Sequence, residues 1–469
     1  MLFNSFEFLL FFPVVTFLYF LLPHRFRWIH LLLASCLFYC FFVPEYLLIL
    51  LVTIVVDYYA ALRIEKSTGK TKKRWLLYSI LITCLILGVF KYFNFFNGSF
   101  GAIAGFFNLN YPIEALEILL PIGLSFHTFQ SLSYVIEVYR GNQKAEKHFG
   151  IYSLYVMFYP QLVAGPIERP QNILHQFHEK HHFKFDDVVV GLKMILWGLF
   201  KKIVIADRLS LYVDAVYANE DQHNGNSLIL ATVFFAFQIY CDFSGYSNIA
   251  IGTARVMGFK LMTNFNRPYF SRSIAEFWKR WHISLSTWFR DYVYIPLGGN
   301  RVPKPRAYFN LMLTFTISGL WHGANWTYVC WGALNGFYLV FAQMVSGHRR
   351  SFQRFENFYQ ILTTFILILF SWIFFRSPSL EVSFSIIHKM MFVRGPLFLG
   401  YDTSHFVYGV FFLMMLILVE TFEEYKLKDS FSFFKHENVF VRRMAYIAVV
   451  FLILLFGVFG DSQFIYFQF

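Results

Sequence analysis

Charged residues are scarce in this sequence of 469 residues. Asp, Glu, Lys and Arg make up 14% of it, whereas an ordinary soluble protein carries about a quarter, and 57% of the residues are hydrophobic. This composition excludes a water-soluble globular class and is that of a membrane protein. Alternating strands are absent as well, whereas apolar runs of about 20 residues recur, so we predict membrane helices and not a β-barrel.

Cysteine is also scarce, and its spacing excludes two kinds of site. The five cysteines lie in or beside apolar segments without the paired spacing of metal ligands, so we expect neither disulfides nor a bound metal. The basic residues gather in short loops beside apolar runs. The net charge of +12 therefore indicates the positive-inside rule and a lipid bilayer as partner, not nucleic-acid binding.

The apolar runs predict an all-α fold, a polytopic helical bundle of about 11 or 12 membrane helices in one domain, residues 1–469. The start of the chain lacks the marks of a removable signal peptide and is expected to stay as the first membrane helix. If the basic loops, such as RIEKSTGKTKKR (63–74) and HRRSFQR (348–354), face the cytoplasm, both termini lie outside. Apolar spans are placed at about 3–22, 28–43, 45–62, 75–96, 115–137, 188–206, 228–250, 307–320, 326–345, 359–376, 404–421 and 441–460.

Two places strain this topology. The stretch IYSLYVMFYPQLVAGP (151–166) contains two prolines and a glycine, which suit a re-entrant or interfacial element better than a straight span. Lys201 and Lys202 then lie toward the outer face, against the positive-inside rule.

The segment 264–301 has too many aromatic residues for an ordinary loop and is predicted to be embedded. From Ile274 onward its apolar residues recur at helical spacing with basic residues between them, which predicts an amphipathic helix at the cytoplasmic interface. Membrane anchoring explains such a helix without any catalytic role. A functional role is indicated by His282 among aromatic residues and by the ending PLGGNR, a Gly-rich turn that can offer backbone N–H groups to phosphate. Besides His282, the candidate site residues here are Trp278, Arg280, Trp281, Ser286 and the possible ion pair of Arg290 with Asp291.

An ionisable residue at membrane depth costs free energy, so it is expected to have a partner or a function. Asp242, in QIYCDFSGYSNIAIG (238–252), is expected to have a structural partner such as Arg or Tyr. His127 is a membrane-depth candidate, whereas HQFHEKHH (175–182) is interpreted as a solvated cluster.

The segment SGLWHGANW (318–326) places His322 between Gly319 and Gly323 inside an apolar run. The glycines favour a broken helix, and a buried imidazole is neutral near pH 7 and able to accept a proton. An interhelical hydrogen bond explains His322 equally well on position alone. Trp321 and Asn325 are the expected positioners of the ring and candidates for substrate binding.

The chemistry that fits a buried base is acyl transfer from a thioester to a hydroxyl. His322 would remove the hydroxyl proton as the oxygen attacks the carbonyl carbon. Because the sequence contains no G-x-S-x-G motif, direct transfer is simpler than a stable acyl-serine. A transporter or channel for an acyl carrier or polymer, and a non-catalytic scaffold for a periplasmic transferase, are the alternatives.

Two long motifs, RPYFSRSIAEFWKRWHISLSTWFRDYVYIPLGGNR and GLWHGANWTYVCWG, resemble the membrane-bound O-acyltransferase family, in particular its bacterial alginate O-acetyltransferase branch. The stretches YPQLVAGPIERP and QIYCDFSGYSNIAIG support the resemblance. The related D-alanyl transferases of teichoic acid synthesis share FWKRWHxSLSxWFRDYV but not the ending PLGGNR, which favours the acetyl branch.

The resemblance implies a ring of membrane helices around a central tunnel in the bacterial inner membrane. It implies catalytic roles for His322 and His282, acetyl-CoA as acetyl donor without a bound cofactor, and a periplasmic SGNH-type partner that completes acetylation of an exopolysaccharide such as alginate. The role of His282, catalytic or structural, and the identity of the polymer stay open.

Overall fold

The computed structural model describes residues 1–117, 121–163, 165–345, 356–425 and 438–460. Among these residues the secondary structure is helical, without a strand. All twelve predicted apolar spans overlap a helix, and the all-α fold class is confirmed. The predicted basic loop HRRSFQR (348–354), and most of the basic stretch from 426 to 443, lie outside the described residues.

Seven of the described helices are long and apolar enough to cross a membrane. Many large apolar side chains on these and other helices face outward, for example Phe17 and Leu81, which are 68% and 67% exposed. Outward apolar surface of this extent suits lipid and not water. The protein is therefore a multi-pass membrane protein, while the predicted number of about 11 or 12 membrane helices stays a prediction.

The chain folds into two compact units. The first comprises Met1–Lys193 with Ala250–Met262, and the second comprises Met194–Ile249 with Thr263–Phe469. The unit boundaries fall within α10 (Phe185–Leu199) and within α12 (Gly225–Val256). The prediction of one domain over 1–469 stays a prediction.

The first unit contains the first nine α-helices. Its helix α6 begins at Leu124, nine residues later than expected, directly after a turn in which Gly123 is left-handed (φ 79°). The bounds are α1 (Phe6–Leu21), α2 (His24–Cys40), α3 (Tyr46–Lys66), α4 (Gly69–Leu87), α5 (Phe93–Phe106), α6 (Leu124–Arg140), α7 (Phe149–Met157), α8 (Tyr159–Leu162) and α9 (Pro170–Ile173).

The stretch 151–166 is broken, as its prolines predict. Helix α7 has nine residues and α8 has four, separated at Phe158. At about 1.5 Å per residue a nine-residue helix spans roughly 14 Å, about half of the hydrocarbon core of a bilayer. This stretch is therefore not a straight membrane span.

Polar side chains join three helices inside the first unit. Asp57 on α3 is fully buried and accepts hydrogen bonds from Ser79 and Thr83 of α4 and from Ser131 of α6. His127 of α6 is hydrogen-bonded to a threonine hydroxyl of α3. The membrane-depth histidine His127 thus has the interhelical bond that explains it structurally.

The second unit contains the helices from α11 onward, except the end of α12, together with the end of α10, and it holds His282, His322 and Asp242. Three of the described segments are π-helical. Gly88–Tyr92 lies between α4 and α5 of the first unit, and Phe200–Ala206 and Arg290–Tyr294 lie in the second unit. The bounds are α11 (Asp207–Tyr217), α13 (Ile274–Arg280), α14 (Ile283–Phe289), α15 (Lys304–His322), α16 (Trp326–Val345), α17 (Glu356–Arg376), α18 (Leu380–Phe392), α19 (Thr403–Glu424) and α20 (Val439–Phe456).

Candidate active site

His322 lies where an apolar helix stops. It is the last residue of α15, and the chain turns through Gly323 before α16 begins at Trp326. The helix break that the glycines predict is thus present. The side chain of His322 is buried, with 4% exposure.

Glycines bring the two helices at this break together. A Cβ added at Gly319 would stand 2.2 Å from the carbonyl oxygen of Tyr328, and one added at Gly332 would stand 2.3 Å from that of Phe315. A Cβ at Gly323 would stand 2.1 Å from the Tyr328 ring. Because such distances are far below van der Waals contact, only glycine permits this approach of α15 and α16.

The imidazole of His322 is enclosed by aromatic rings. Its centroid lies 5.0 Å from that of Trp331, with the planes at 87°, and 5.4 Å from that of Phe375. The neighbouring Trp321 ring is at 4.9 Å. The imidazole of His322 is therefore packed against three aromatic side chains.

His282 occupies a different kind of position, a hinge between two short helices. The sequence predicts one amphipathic helix from Ile274 onward, but α13 ends at Arg280 and α14 begins at Ile283. His282 has φ 42° and ψ 56°, the left-handed conformation that few residues other than glycine adopt. The prediction of a single helix is therefore wrong.

A neighbouring asparagine holds this hinge from outside the two helices. The backbone N–H of Ile283 donates to the carbonyl of Asn264, and the backbone and hydroxyl of Ser284 donate to the Asn264 side chain. These bonds satisfy N–H groups that begin α14, so the helix starts anew after His282. Apolar periodicity runs on through the break, which is why the sequence does not reveal it.

The apolar residues of this hinge face protein. Ile274, Phe277, Trp281 and Leu285 are each at most 4% exposed, and His282 has no exposed surface. The segment is thus embedded, but within the protein fold. The cytoplasmic side that the sequence assigns to it stays a prediction.

One tryptophan connects the two histidines. The Trp321 ring lies 4.9 Å from His322 and 6.4 Å from His282, while Phe243 contacts His282 at 4.5 Å. The structure therefore brings the two candidate catalytic residues next to a shared aromatic side chain.

Trp281 and Trp278 belong to the same aromatic packing. Trp281 lies 5.2 Å from Trp372, which stacks on Trp331 at 5.9 Å, and Trp278 lies 5.7 Å from Trp331. These ring contacts connect both predicted tryptophans to Trp331, which contacts His322. We call the set the aromatic cluster; it comprises Trp278, Trp281, Trp321, Trp331, Trp372 and Phe375.

The polar candidates near the hinge make structural bonds. Arg280 forms ion pairs with Glu276 at 2.7 Å and Glu424 at 2.8 Å, and the Ser286 hydroxyl donates to the carbonyl of Trp281. Asn325 donates to the carbonyl of Pro378 and accepts from the backbone of α16. A role for any of the three in binding substrate stays a prediction.

The ending PLGGNR forms the expected turn, with positive φ at Gly298 and Gly299. The backbone N–H groups of Leu297, Gly298, Gly299 and Arg301 all donate to backbone carbonyls within the segment. These groups are therefore not available to a phosphate, and the predicted phosphate cradle is wrong for them. The expected ion pair of Arg290 with Asp291 is present at 2.8 Å.

The arrangement is that of a buried imidazole at a helix break within an aromatic cluster. The family of the chain is shown by comparison with known proteins. Residues 148–387 match the family model of membrane-bound O-acyltransferases. The chain belongs to the membrane-bound O-acyltransferase family. It is therefore an enzyme, an O-acyltransferase, and the transporter and scaffold alternatives fall away.

Two of three relatives cover most of this acyltransferase, and the third covers about half of it. The probable alginate O-acetylase AlgI of Pseudomonas aeruginosa is 41% identical over 84% of this chain and 75% of its own length. The peptidoglycan O-acetyltransferase of Helicobacter pylori is 35% identical over 78% of this chain and 74% of its own. The teichoic acid D-alanyltransferase of Streptococcus thermophilus is 32% identical over 47% of this chain and 56% of its own.

The structure gives this acyltransferase a partner for Asp242. Lys202 lies 2.9 Å from Asp242 and 2.8 Å from Asp207, and the side chains of all three are at most 4% exposed. The expectation of a structural partner is confirmed, although the partner is a lysine. Lys201 and Lys202 are both buried and lie near carboxylates, and their place toward the outer face stays a prediction.

Several residues around the histidines were missed by the sequence analysis. Trp331 and Phe375 contact His322, and Trp372 stacks on Trp331, but each looks like an ordinary apolar residue of a membrane helix. Only the spacing of Trp331, within the motif GLWHGANWTYVCWG, offered a signal.

Proposed function

We propose that this acyltransferase moves an acetyl group from cytoplasmic acetyl-CoA to a hydroxyl on the far side of the membrane. The relatives named O-acetylase or O-acetyltransferase align over 78% and 84% of the chain, whereas the D-alanyltransferase aligns over 47%. This difference in coverage favours the acetyl branch. The acceptor is an exopolysaccharide, or a periplasmic SGNH-type partner that passes the acetyl group to one.

His322 is the general base in this proposal. Its nitrogen takes the proton of the acceptor hydroxyl as the oxygen attacks the thioester carbonyl carbon; the C–S bond then breaks, and the thiolate leaves and is protonated. The observation that carries the proposal is the position of His322 at the break between α15 and α16, 4% exposed and enclosed by aromatic rings. A neutral imidazole there is ready to accept a proton.

The proposal includes an orientation in the membrane. The enzyme lies in the bacterial inner membrane with its basic loops in the cytoplasm and both termini in the periplasm. The donor enters from the cytoplasm. Reporter fusions at the two termini test this orientation: a periplasm-specific reporter should be active at both, and activity of a cytoplasm-specific reporter at either would contradict it.

Reconstituted enzyme tests the choice of donor. Purified protein in liposomes is given acetyl-CoA labelled in the acetyl group, with an oligosaccharide acceptor or the SGNH-type partner. We expect release of CoA thiol and labelled ester only when acceptor is present. Consumption of a D-alanyl thioester carrier with inert acetyl-CoA would replace acetyl transfer by D-alanyl transfer, the remaining alternative.

A further inference from the structure

A buried charged network lies beside the aromatic cluster in the second unit. Its core is the lysine pair of the π-helical segment Phe200–Ala206, the kind of distortion that recurs at functional sites. We call it the lysine network; it comprises Lys201, Lys202, Asp207, Tyr240, Asp242 and Glu420.

Two glycines bring the π-helical segment against α12. A Cβ added at Gly198 would stand 2.5 Å from the carbonyl oxygen of Gly245, and one at Gly245 would stand 2.7 Å from that of Gly198. The Cβ added at Gly245 would also stand 3.2 Å from the backbone nitrogen of Lys202. This close approach lets both lysines reach the polar residues of α12.

The network has two arms that end on α12. In the first, Lys202 bridges Asp207 at 2.8 Å and Asp242 at 2.9 Å. In the second, the Tyr240 hydroxyl donates to Glu420 of α19 at 2.5 Å, and Lys201 lies 3.9 Å from that carboxylate.

The second arm is completed by contacts of Lys201 with α12. Its ammonium lies 5.1 Å from the Tyr240 ring centroid and 3.3 Å from the Ser244 hydroxyl. Charges buried at this depth are costly unless held in good geometry, so the network fixes α12 against both neighbouring segments.

The same turn of α12 carries the residues that touch the histidine hinge. Phe243, next to Asp242, contacts the His282 ring at 4.5 Å with the planes at 79°. The Tyr240 ring lies 6.3 Å from Trp281, the residue before His282. A rotation or shift of α12 would therefore be transmitted directly to the hinge and to the aromatic cluster.

We propose that the lysine network positions His282 and Trp281 for the acyl-transfer step through Phe243 and Tyr240. None of its members touches the reacting atoms; they are positioning residues. The inference rests on the proposed function, since its readout is transfer from acetyl-CoA. It predicts that loosening the network lowers kcat in protein that is still folded, with KM for acetyl-CoA unchanged.

The test uses two variants. The first is a double substitution that keeps the net charge of the network, and the second is a single substitution that keeps the ring of the side chain. Lys202→Met with Asp242→Asn removes one positive and one negative charge, so the bridge keeps its net charge but loses its geometry. Tyr240→Phe removes only the hydroxyl that holds Glu420. We expect kcat to fall about tenfold in the double variant and severalfold in Tyr240→Phe, with wild-type KM in both.

A matched control comes from the first unit. Tyr58→Phe also removes one tyrosine hydroxyl, which donates to the carbonyl of Lys147 at 2.6 Å, and should keep wild-type kcat. Wild-type kcat in folded Tyr240→Phe would overturn the inference, even if the double variant fails to fold. A wild-type protein that does not consume acetyl-CoA defeats the proposed function instead.

Discussion

The two histidines of this acyltransferase differ in what their backbones do. His282 is a hinge, left-handed at φ 42° and fully buried, with helices starting and stopping on either side of it. His322 is the last residue of a regular helix, and its break is made by the glycine that follows. We therefore expect replacement of His282 to disturb the backbone at the hinge, whereas replacement of His322, the proposed base, should act mainly on catalysis.

Substitution of the hinge should give the largest loss of stability. His282→Val places a β-branched residue in the left-handed region and empties the space beside Phe243, which we expect to cost about 3 kcal/mol. His282→Asn keeps a side chain that tolerates this conformation and should cost roughly 1 kcal/mol. Thermal unfolding of detergent-solubilised protein measures both. Equal losses would show that the hinge conformation does not matter.

Substitution of Gly323, at the helix break beside His322, should give the next largest effect. Gly323→Ala puts a Cβ 2.1 Å from the Tyr328 ring, so the ring must move; overpacking of this kind costs about 1–3 kcal/mol. We expect acetyl transfer to fall about tenfold, since His322 moves with the break. Gly105→Ala, with nothing within 4 Å of the added Cβ, is the control and should behave like wild type.

Changing the shared tryptophan tests the link between the two sites. Trp321→Phe keeps an aromatic ring between His322 and His282 and should lower kcat severalfold, whereas Trp321→Ala removes the contact and should lower it further. The rates are measured at saturating donor and acceptor. If the alanine variant keeps wild-type kcat, Trp321 does not position His322.

The smallest effect is expected at the exposed ion pair. Arg290 is 59% exposed at its side chain, and an exposed pair of this kind contributes about 0.2–1 kcal/mol. Arg290→Ala should therefore leave thermal stability nearly unchanged. Its KM for acetyl-CoA decides whether Arg290 binds the donor: a raised KM supports that prediction, and an unchanged KM removes it.

The same contrast explains how much could be predicted from the sequence. Length and hydropathy were sufficient for helices such as Tyr46–Lys66 and Trp326–Val345, and two glycines were sufficient for the break at His322. The hinge at His282 was missed because one left-handed residue leaves the apolar periodicity intact. Its bonds to Asn264, eighteen residues earlier, depend on tertiary contact.

The buried lysines show the second limit. The predicted topology places Lys201 and Lys202 toward the outer face, and the positive-inside rule does not include partners that are distant in the chain. The structure supplies those partners from α12 and α19, as Asp242 and Glu420. Of their carboxylate partners among the described residues, only Asp207, five residues after Lys202, is close in the sequence; the other partners lie 40 or more positions away.

The most direct test of the account is the acetyl-ester content of the secreted polymer in cells that express His322→Ala at the wild-type level. We predict that the ester content falls to the background of cells lacking the enzyme, while thermal unfolding of the purified variant stays close to wild type. His282→Asn, expressed in parallel, should retain part of the ester. Unchanged acetylation in His322→Ala would contradict the assignment of His322 as the base.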